Sequence, residues 1–174
     1  IHITTHKRPD YVLKPQIISF NPAVVSVNQD SFQIEIIATN IGKAIQDSIT
    51  LEVERTLPNG SGASFLKTIR APYFQDTVVV NIPTGGNSAF GLNNFKITIE
   101  SDRKIPELSE TNNSIGTTIN ILSEDVFPIH PYEFSIEYEQ DIELKASTAN
   151  AFAGTRSYIM QIDTTENFNS PSLR

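Results

Sequence analysis

The sequence predicts an all-β fold, an antiparallel sandwich, and three observations support this prediction. Apolar and polar residues alternate through most of the chain, which is the period of a half-buried strand rather than of a helix. The alternating stretches are short, and turn-forming pairs such as Asn59-Gly60 and Gly85-Gly86 separate them. Pro15 lies in the first stretch, which favours an edge strand, or a break where that strand crosses between sheets.

Residues 10–122 contain the strands of this predicted sandwich. In chain order the stretches are VLKPQIISF, FQIEIIAT, SITLEVER, SFLKTIR, TVVVNIP, FKITIES and IGTTINIL. In the second and third stretches, the residues of one phase are predicted to face the core: Phe32, Ile34, Ile36, Ala38, Ile49, Leu51 and Val53. About seven short strands, with turn signals every 8–15 residues or so, are typical of an immunoglobulin-like antiparallel β-sandwich.

The chain after Leu122 has a different organisation. Pro128 and Pro131 disfavour helix, and the sequence predicts a proline-containing linker over 123–131. Three alternating stretches then predict a partial β module over 132–174, with strands near 132–139, 142–146 and 157–163. Because so small a sheet is marginal by itself, we expect it to pack on the first domain or to self-associate by lending strands to another copy.

Composition excludes several classes of function. Thirteen Lys and Arg against twenty Asp and Glu give a formal net charge of −7, which repels nucleic acid and anionic lipid surfaces. The absence of cysteine excludes disulfides and thiolate chemistry. No apolar run approaches the roughly 20 residues that span a bilayer, so no membrane insertion is expected. The opening residues lack a signal-peptide core, and we expect the chain to be part of a larger parent protein.

Two loops of the predicted sandwich collect conspicuous polar residues. The B–C loop is TNIGKA, residues 39–44, and the F–G loop is SDRKIPELSETNNS, residues 101–114. Both loops emerge at the same end of an immunoglobulin-like sandwich. The polar residues predicted to converge there are Asn40, Gly42, Asp102, Glu107, Glu110, Asn112 and Asn113.

These two loops also carry a resemblance to a known family. TNIGKA, followed later by ITIESDRKIPELSETNNS, resembles the CARDB family of adhesion-related sandwich domains in bacteria and archaea, whose late strand enters an acidic loop ending in E-x-N-N. The similarity covers roughly residues 10–122. It implies an extracellular or cell-surface, non-enzymatic module beside other domains, and it implies no particular ligand.

The favoured interpretation of the loop motif is structural, with Asn40, Gly42, Glu110, Asn112 and Asn113 as its members. Gly42 is expected to supply a positive φ, and Asn112-Asn113 to set the turn into the last strand. Glu110 is expected to accept N–H bonds from the neighbouring loop. Ile105 and Leu108 are expected to close the end of the core.

Calcium is the alternative, with Asp102, Glu107, Glu110 and Asn112 as candidate ligands. Against it, the spacing is not that of an EF-hand, and Arg103 and Lys104 add positive charge within the loop. A glycan-binding surface is a further alternative, although the chain has no Trp and its five Tyr are scattered. Paired-carboxylate hydrolysis would need a cleft that nothing in the sequence indicates. No catalytic residue and no cofactor are therefore predicted.

The segment after the sandwich carries a second resemblance. SYIMQIDTTENF is similar to the middle strand of fibronectin type III-like domains of bacterial surface proteins. The matching positions are Tyr158, Gln161, Ile162, Asp163, Thr164 and Phe168. The order of the two modules resembles downstream regions of large secreted Bacteroidetes proteins, some with a gingipain-type peptidase domain upstream. The resemblance implies an accessory, spacer or adhesion module whose partners are neighbouring domains.

Overall fold

The computed structural model describes residues 7–123, 125–138, 141–150, 155 and 157–171. Its strands are β1 (Tyr11–Val12), β2 (Ile18–Asn21), β3 (Val25–Ser26), β4 (Ser31–Asn40), β5 (Ser48–Thr56), β6 (Gly62–Arg70), β7 (Gln75–Pro83), β8 (Gly91–Ile99), β9 (Ser114–Leu122), β10 (Val126–His130) and β11 (Lys145–Thr148). Short 3-10 turns cover Pro15–Ile17 and Gly86–Ala89. Among the described residues, no helix has the length and apolar character needed to cross a membrane.

Two sheets form the sandwich. In the first, β4 lies at the centre, with β1 and β2 along one side and β7 along the other, all antiparallel to it. The second has the order β3-β9-β8-β5-β6. Its pairs are antiparallel except that of β3 with β9, which is parallel. The predicted all-β antiparallel sandwich is confirmed.

Proline 15 interrupts the first predicted strand. It begins the 3-10 turn that separates β1 from β2, and both halves pair with β4 at the edge of the first sheet. The chain crosses to the second sheet only after Asn21, where β3 pairs with β9. Pro15 therefore breaks an edge strand, where its missing N–H removes no ladder bond from a central strand, and the crossing lies elsewhere.

The core lies between the facing sheets, and the alternation predicted its members in β4 and β5. Each of the following is at most 2% exposed: Phe32, Ile34, Ile36, Ala38, Ile49, Leu51 and Val53. In β5 the alternation of buried residues continues beyond Val53 to Arg55, which is 4% exposed. The alternation therefore places a guanidinium at the margin of the apolar layer.

Arg55 is held at the end of the sandwich by neutral groups. Its guanidinium donates to the backbone oxygens of Pro83 at 2.6 Å and Thr84 at 2.9 Å, and from Nε to Oδ1 of Asn93 at 3.1 Å. Its Cζ lies 5.6 Å from the centre of the Phe32 ring, a cation–π distance. Burial lowers the pKa of Arg55 from its ordinary value. Hydrogen bonds and ring contacts thus compensate for lost hydration at this buried cation.

The chain after the sandwich differs from the prediction. Strand β10 lies inside the segment assigned to a linker, and it pairs with β11 in a separate two-stranded sheet. Residues 132–138 and 157–163 form no strand, despite their alternating pattern. In 132–138 the apolar side chains Phe134, Ile136 and Tyr138 are at least 90% exposed. Alternation alone does not form a strand without a neighbouring strand to pair with. Residues 139–140 and 151–154 of this module lie outside the described part.

Candidate functional site

Four segments meet at one end of the sandwich, which we term the entry end. They are residues 7–10, which lead into β1, and the connections 41–47, 71–74 and 100–113. Strand register places them together, since Asn40 at the end of β4 pairs with Tyr11 at the start of β1. The B–C and F–G loops therefore converge as the sandwich prediction requires, and the incoming chain joins them.

Asn40 connects three of these segments through one buried amide. Its Oδ1 accepts the N–H of Asp10 at 3.1 Å and that of Gly42 at 2.9 Å. Its Nδ2 donates to the backbone oxygens of Lys43 at 3.2 Å and Pro72 at 3.1 Å. All these partners are backbone groups in the segments next to strand ends. Such groups have no partner in a sheet and need another one. Asn40 thus binds backbone groups of three segments, and the structural role expected of it stays a prediction.

Gly42 has a different role from the one expected. Its φ is not in the left-handed region, because the glycines with positive φ are Gly60, Gly85, Gly86 and Gly91. A Cβ at position 42 would instead lie 2.5 Å from the backbone oxygen of Arg8 and 2.6 Å from the nitrogen of Asp10. The expectation of a positive φ is wrong, and the glycine is required by close approach of the incoming chain.

Glu107 makes the central contact of the F–G loop. Its side chain is buried, at 5% exposure. Oε2 accepts the backbone N–H of Tyr11 at 2.5 Å, and Oε1 accepts Nδ2 of Asn113 at 2.6 Å. Glu110, which we expected to bind the neighbouring loop, accepts the N–H of Glu107 at 3.2 Å within its own loop. The carboxylate that fastens the incoming chain is therefore Glu107.

The Asn112-Asn113 pair also binds outside its own turn. Nδ2 of Asn112 donates to Oδ1 of Asp10 at 2.8 Å, and its backbone oxygen accepts the N–H of Leu13 at 3.1 Å. The backbone oxygen of Asn113 accepts the N–H of Ile99 at 2.9 Å, at the end of β8. The pair thus ties the start of β9 to β8 and to the incoming chain. This is a wider role than the local turn that the sequence predicted.

The two apolar residues of the F–G loop, Ile105 and Leu108, differ in burial. Ile105 is half-buried and packs on the core, as expected. Leu108 is 46% exposed, so the expectation that it closes the core is wrong. The backbone N–H of Leu108 donates to the oxygen of Pro9 at 3.0 Å, so this position contributes its backbone rather than its side chain.

Glu100 is a member of this site that the sequence pattern did not predict. Buried residues of β8 alternate up to Ile99, so the next residue would face solvent. Glu100 instead adopts a left-handed φ of 54°, which turns its side chain inward to 1% exposure. Its Oε1 accepts the N–H of Ile105 at 2.8 Å, and its Oε2 has no hydrogen-bond partner among the described residues.

Three carboxylates therefore crowd together at the entry end. One oxygen each from Glu100, Glu107 and Glu110 lies within 4.8 Å of the other two. Asp102 is not among them, because its Oδ2 accepts Oγ1 of Thr50 at 3.0 Å and pairs with Nζ of Lys104 at 2.6 Å. We name this trio the carboxylate cluster.

Burial governs the protonation of the cluster. Loss of hydration raises the pKa of Glu107 to about 7, although the Tyr11 N–H and Asn113 amide oppose the shift, and the charges of Glu110 and Glu100 add to it. Burial also raises the pKa of Glu100. Burial, followed by the charges of Glu107 and Glu100, raises the pKa of Tyr11 to about 12. Each negative charge in this group disfavours ionisation of the neighbouring acidic side chains.

A hollow at the entry end bears on glycan binding. About 300 Å³ in volume, it is lined by residues 70–76, which include the exposed rings of Tyr73 and Phe74. Exposed aromatic rings can stack on sugars. The guanidinium of Arg70, however, lies over the Tyr73 ring at 4.6 Å and covers one of its faces. This hollow therefore offers a small aromatic surface rather than an open platform.

Comparison with known proteins gives matches among solved structures alone. No family model matches the chain, and no curated protein matches it. The CARDB domain of a Pyrococcus furiosus protein, in complex with di-metal ions, is similar at 20% identity and a TM-score of 0.47, covering 69% of this chain and 94% of that domain. A domain from Methanosarcina acetivorans, whose protein is named for the cell surface, is similar at 17% identity and a TM-score of 0.47, covering 66% and 93%. At these values neither similarity bears on ligand or function.

We expect Gly42→Ala to lower the free energy of unfolding by about 2 kcal/mol, because the new methyl group collides with backbone rather than with a movable side chain. Gly116→Ala is the matched control, since its Cβ would find only the Phe95 oxygen, at 3.8 Å. Urea denaturation followed by circular dichroism measures both. Equal stabilities of the two variants would contradict the close approach at Gly42.

Stability should fall as the pH rises from 5 to 8 in metal-free buffer. The pKa of Glu107 is about 7 in the folded chain against an ordinary 4.5, so the folded state binds the extra proton. The resulting stability is fully present below pH 4.5 and is lost as the pH passes 7; this group contributes about 2–3 kcal/mol.

Glu107→Gln should flatten this dependence, and Glu133→Gln, at an exposed position, should not. Urea denaturation at a series of pH values measures the slope. A wild-type stability that stays constant or rises over this range would contradict the burial of an ionisable Glu107.

Proposed function

We propose that this chain carries a non-enzymatic spacer or accessory module of an extracellular or cell-surface bacterial protein. The observation that supports this proposal most directly is the path of the chain through the sandwich. The chain enters at one end and leaves at the other, so the sandwich lies in line between whatever precedes and follows it.

The strand directions establish this path. Residues 7–10 join the sandwich at the entry end, where Tyr11 pairs with Asn40. Strand β9 starts at the same end with Ser114 and runs to Leu122 at the opposite end. At roughly 3.3 Å per residue, a strand of this length separates entry from exit by about 30 Å. A module with this geometry sets a distance between its neighbours.

The polar residues of the loops support a non-catalytic role. Asn40, Glu107, Asn112 and Asn113 bind backbone or side-chain groups of adjoining segments. Their polar atoms stabilise the entry end, and the incoming chain fills the space beside Gly42. Extracellular placement is supported by the resemblance of these two loops to CARDB modules. A position beside other modules is supported by the separate β10–β11 sheet that follows.

The parallel pair of β3 and β9 is arranged to bear tension. Strand β3, on the entering side of the chain, is parallel to β9, with Val25 opposite Ile121 and Ser26 opposite Leu122. Val27 adds a bond from its N–H to the oxygen of Leu122 at 2.9 Å. A pull between the two ends draws parallel strands past each other, so that their hydrogen bonds are loaded together rather than one after another.

Force spectroscopy tests this role, and the absence of cysteine makes introduced thiols unique attachment points. Handles at Arg8→Cys and Asp125→Cys load the module along the path of the chain. Handles at Leu92→Cys and Asn120→Cys, which are exposed and lie opposite each other in the ladder, peel β8 from β9. At equal loading rates we expect a higher mean unfolding force for the first pair. An equal or lower force would contradict a load-bearing spacer.

A further inference from the structure

The carboxylate cluster concentrates negative charge without a positive partner. Among the described residues, the ion pairs are Lys96 with Glu54, Lys104 with Asp102, and Lys145 with Glu143, so none includes Glu100, Glu107 or Glu110. Burial of like charges this close together is unfavourable unless a cation or a proton compensates them. In the described part of the chain, neither cation of the loop, Arg103 or Lys104, forms an ion pair with the cluster; Lys104 pairs with Asp102, although the charge of Glu100 also acts on it.

Unpartnered oxygen atoms lie at the same place. Oε2 of Glu100 is inaccessible to solvent and has no hydrogen-bond partner among the described residues. Oδ1 of Asn113 is likewise buried and unpartnered, in a side chain that is 5% exposed. The amide of Asn113 reaches the cluster, since its Nδ2 contacts Glu107. Buried oxygens are normally satisfied, so this pair indicates a missing electropositive partner.

We propose that the carboxylate cluster binds a divalent cation of the calcium type, with Glu100, Glu107 and Glu110 as ligands and the amide oxygen of Asn113 beside them. The cation would join the end of β8 to the F–G loop. This inference goes beyond the spacer role and does not depend on it.

The chemistry of the donors selects the class of ion. Carboxylate and amide oxygens are hard ligands that suit Ca²⁺, whereas the soft sulfur and imidazole ligands of zinc and copper sites do not occur in the cluster. Oxygens bound to one Ca²⁺ lie about 2.4 Å from it and up to about 4.8 Å from each other. The oxygens of the cluster fall within this span. Mg²⁺ needs shorter bonds and a nearly ideal octahedron of ligands. Two buried carboxylates and one exposed carboxylate suit the more flexible coordination of Ca²⁺ better.

Thermal melts and terbium luminescence test the site in the full chain. In 10 mM CaCl₂ we expect the melting temperature to rise by about 3 °C or more, the shift for a millimolar site that exists only in the folded state. Glu100→Gln should abolish the shift while keeping the fold by circular dichroism, because it removes a buried charge without changing shape. Glu110→Gln should weaken the apparent affinity at least tenfold.

Asp102→Asn is the matched control, since it removes a carboxylate of the same loop that lies outside the cluster. It should retain the calcium shift. Terbium provides a local signal, because tyrosine sensitises its emission and the phenol of Tyr11 lies close enough to the cluster that, besides burial, the charges of Glu107 and Glu100 raise its pKa. Tyr11→Phe should lower the emission while the calcium shift remains.

Three results would overturn the proposal. One is the absence of any calcium shift in the wild-type chain. Another is an equal shift in Glu100→Gln, which would place the ion elsewhere. The third is an equal shift with MgCl₂ at the same ionic strength that survives in both Gln variants, because that would be general screening of the net charge of −7.

Discussion

The carboxylate of Glu107 is the contact on which the entry end of this sandwich depends. It accepts hydrogen bonds from the backbone of Tyr11 in the incoming strand and from the side chain of Asn113, which directly precedes β9, and these two donors are far apart in sequence. Tyr11 lies at the start of an edge strand of only two residues, so the sheet alone holds it weakly. Without this acceptor, a buried N–H and a buried amide would lose their partners at the same time, which makes the contact hard to replace.

The same carboxylate creates an electrostatic problem. Fixing Glu107 in the interior places its charge beside Glu100 and Glu110, and each of these also holds a backbone N–H of the loop. The hydrogen bonds that order the loop therefore require acceptors that repel one another. A proton or a cation relieves the repulsion, and both act on the same oxygens. The stability of the entry end is thus linked to the ionic conditions around it, whatever the parent protein does.

Sequence reasoning recovered the strands because period-two alternation is a direct consequence of two facing sheets. Phe32 and Ile34 in β4 and Leu51 in β5 were placed correctly for this reason. The convergence of the two loops followed from topology in the same way. The alternation does not predict the burial of Glu100, since its left-handed φ reverses the pattern at the residue after Ile99, where the strand ends. The demand for glycine at position 42 came from the incoming chain, which lies next to it in space and not in sequence.

The segment after Leu122 shows the limit of the alternation argument. Its residues 132–138 alternate as clearly as those of β4, yet they form no strand. Alternation indicates which side chains share one face, but a strand also needs a neighbouring strand to pair with. In the sandwich each alternating stretch pairs with another strand, even where that strand is distant in sequence, as β7 is from β4. The prolines of the segment were more misleading still, because β10 includes Pro128 and pairs with β11.

Amide hydrogen exchange at Tyr11 measures how firmly Glu107 holds the incoming strand. If Glu107 holds the incoming strand, the Tyr11 amide exchanges slowly in the wild-type chain. In Glu107→Ala it exchanges at least about tenfold faster, while the amides of β4 and β5 keep their protection. A Tyr11 amide that exchanges at the rate of an unstructured chain in the wild type, or at an unchanged rate in the variant, would contradict the central role of this carboxylate.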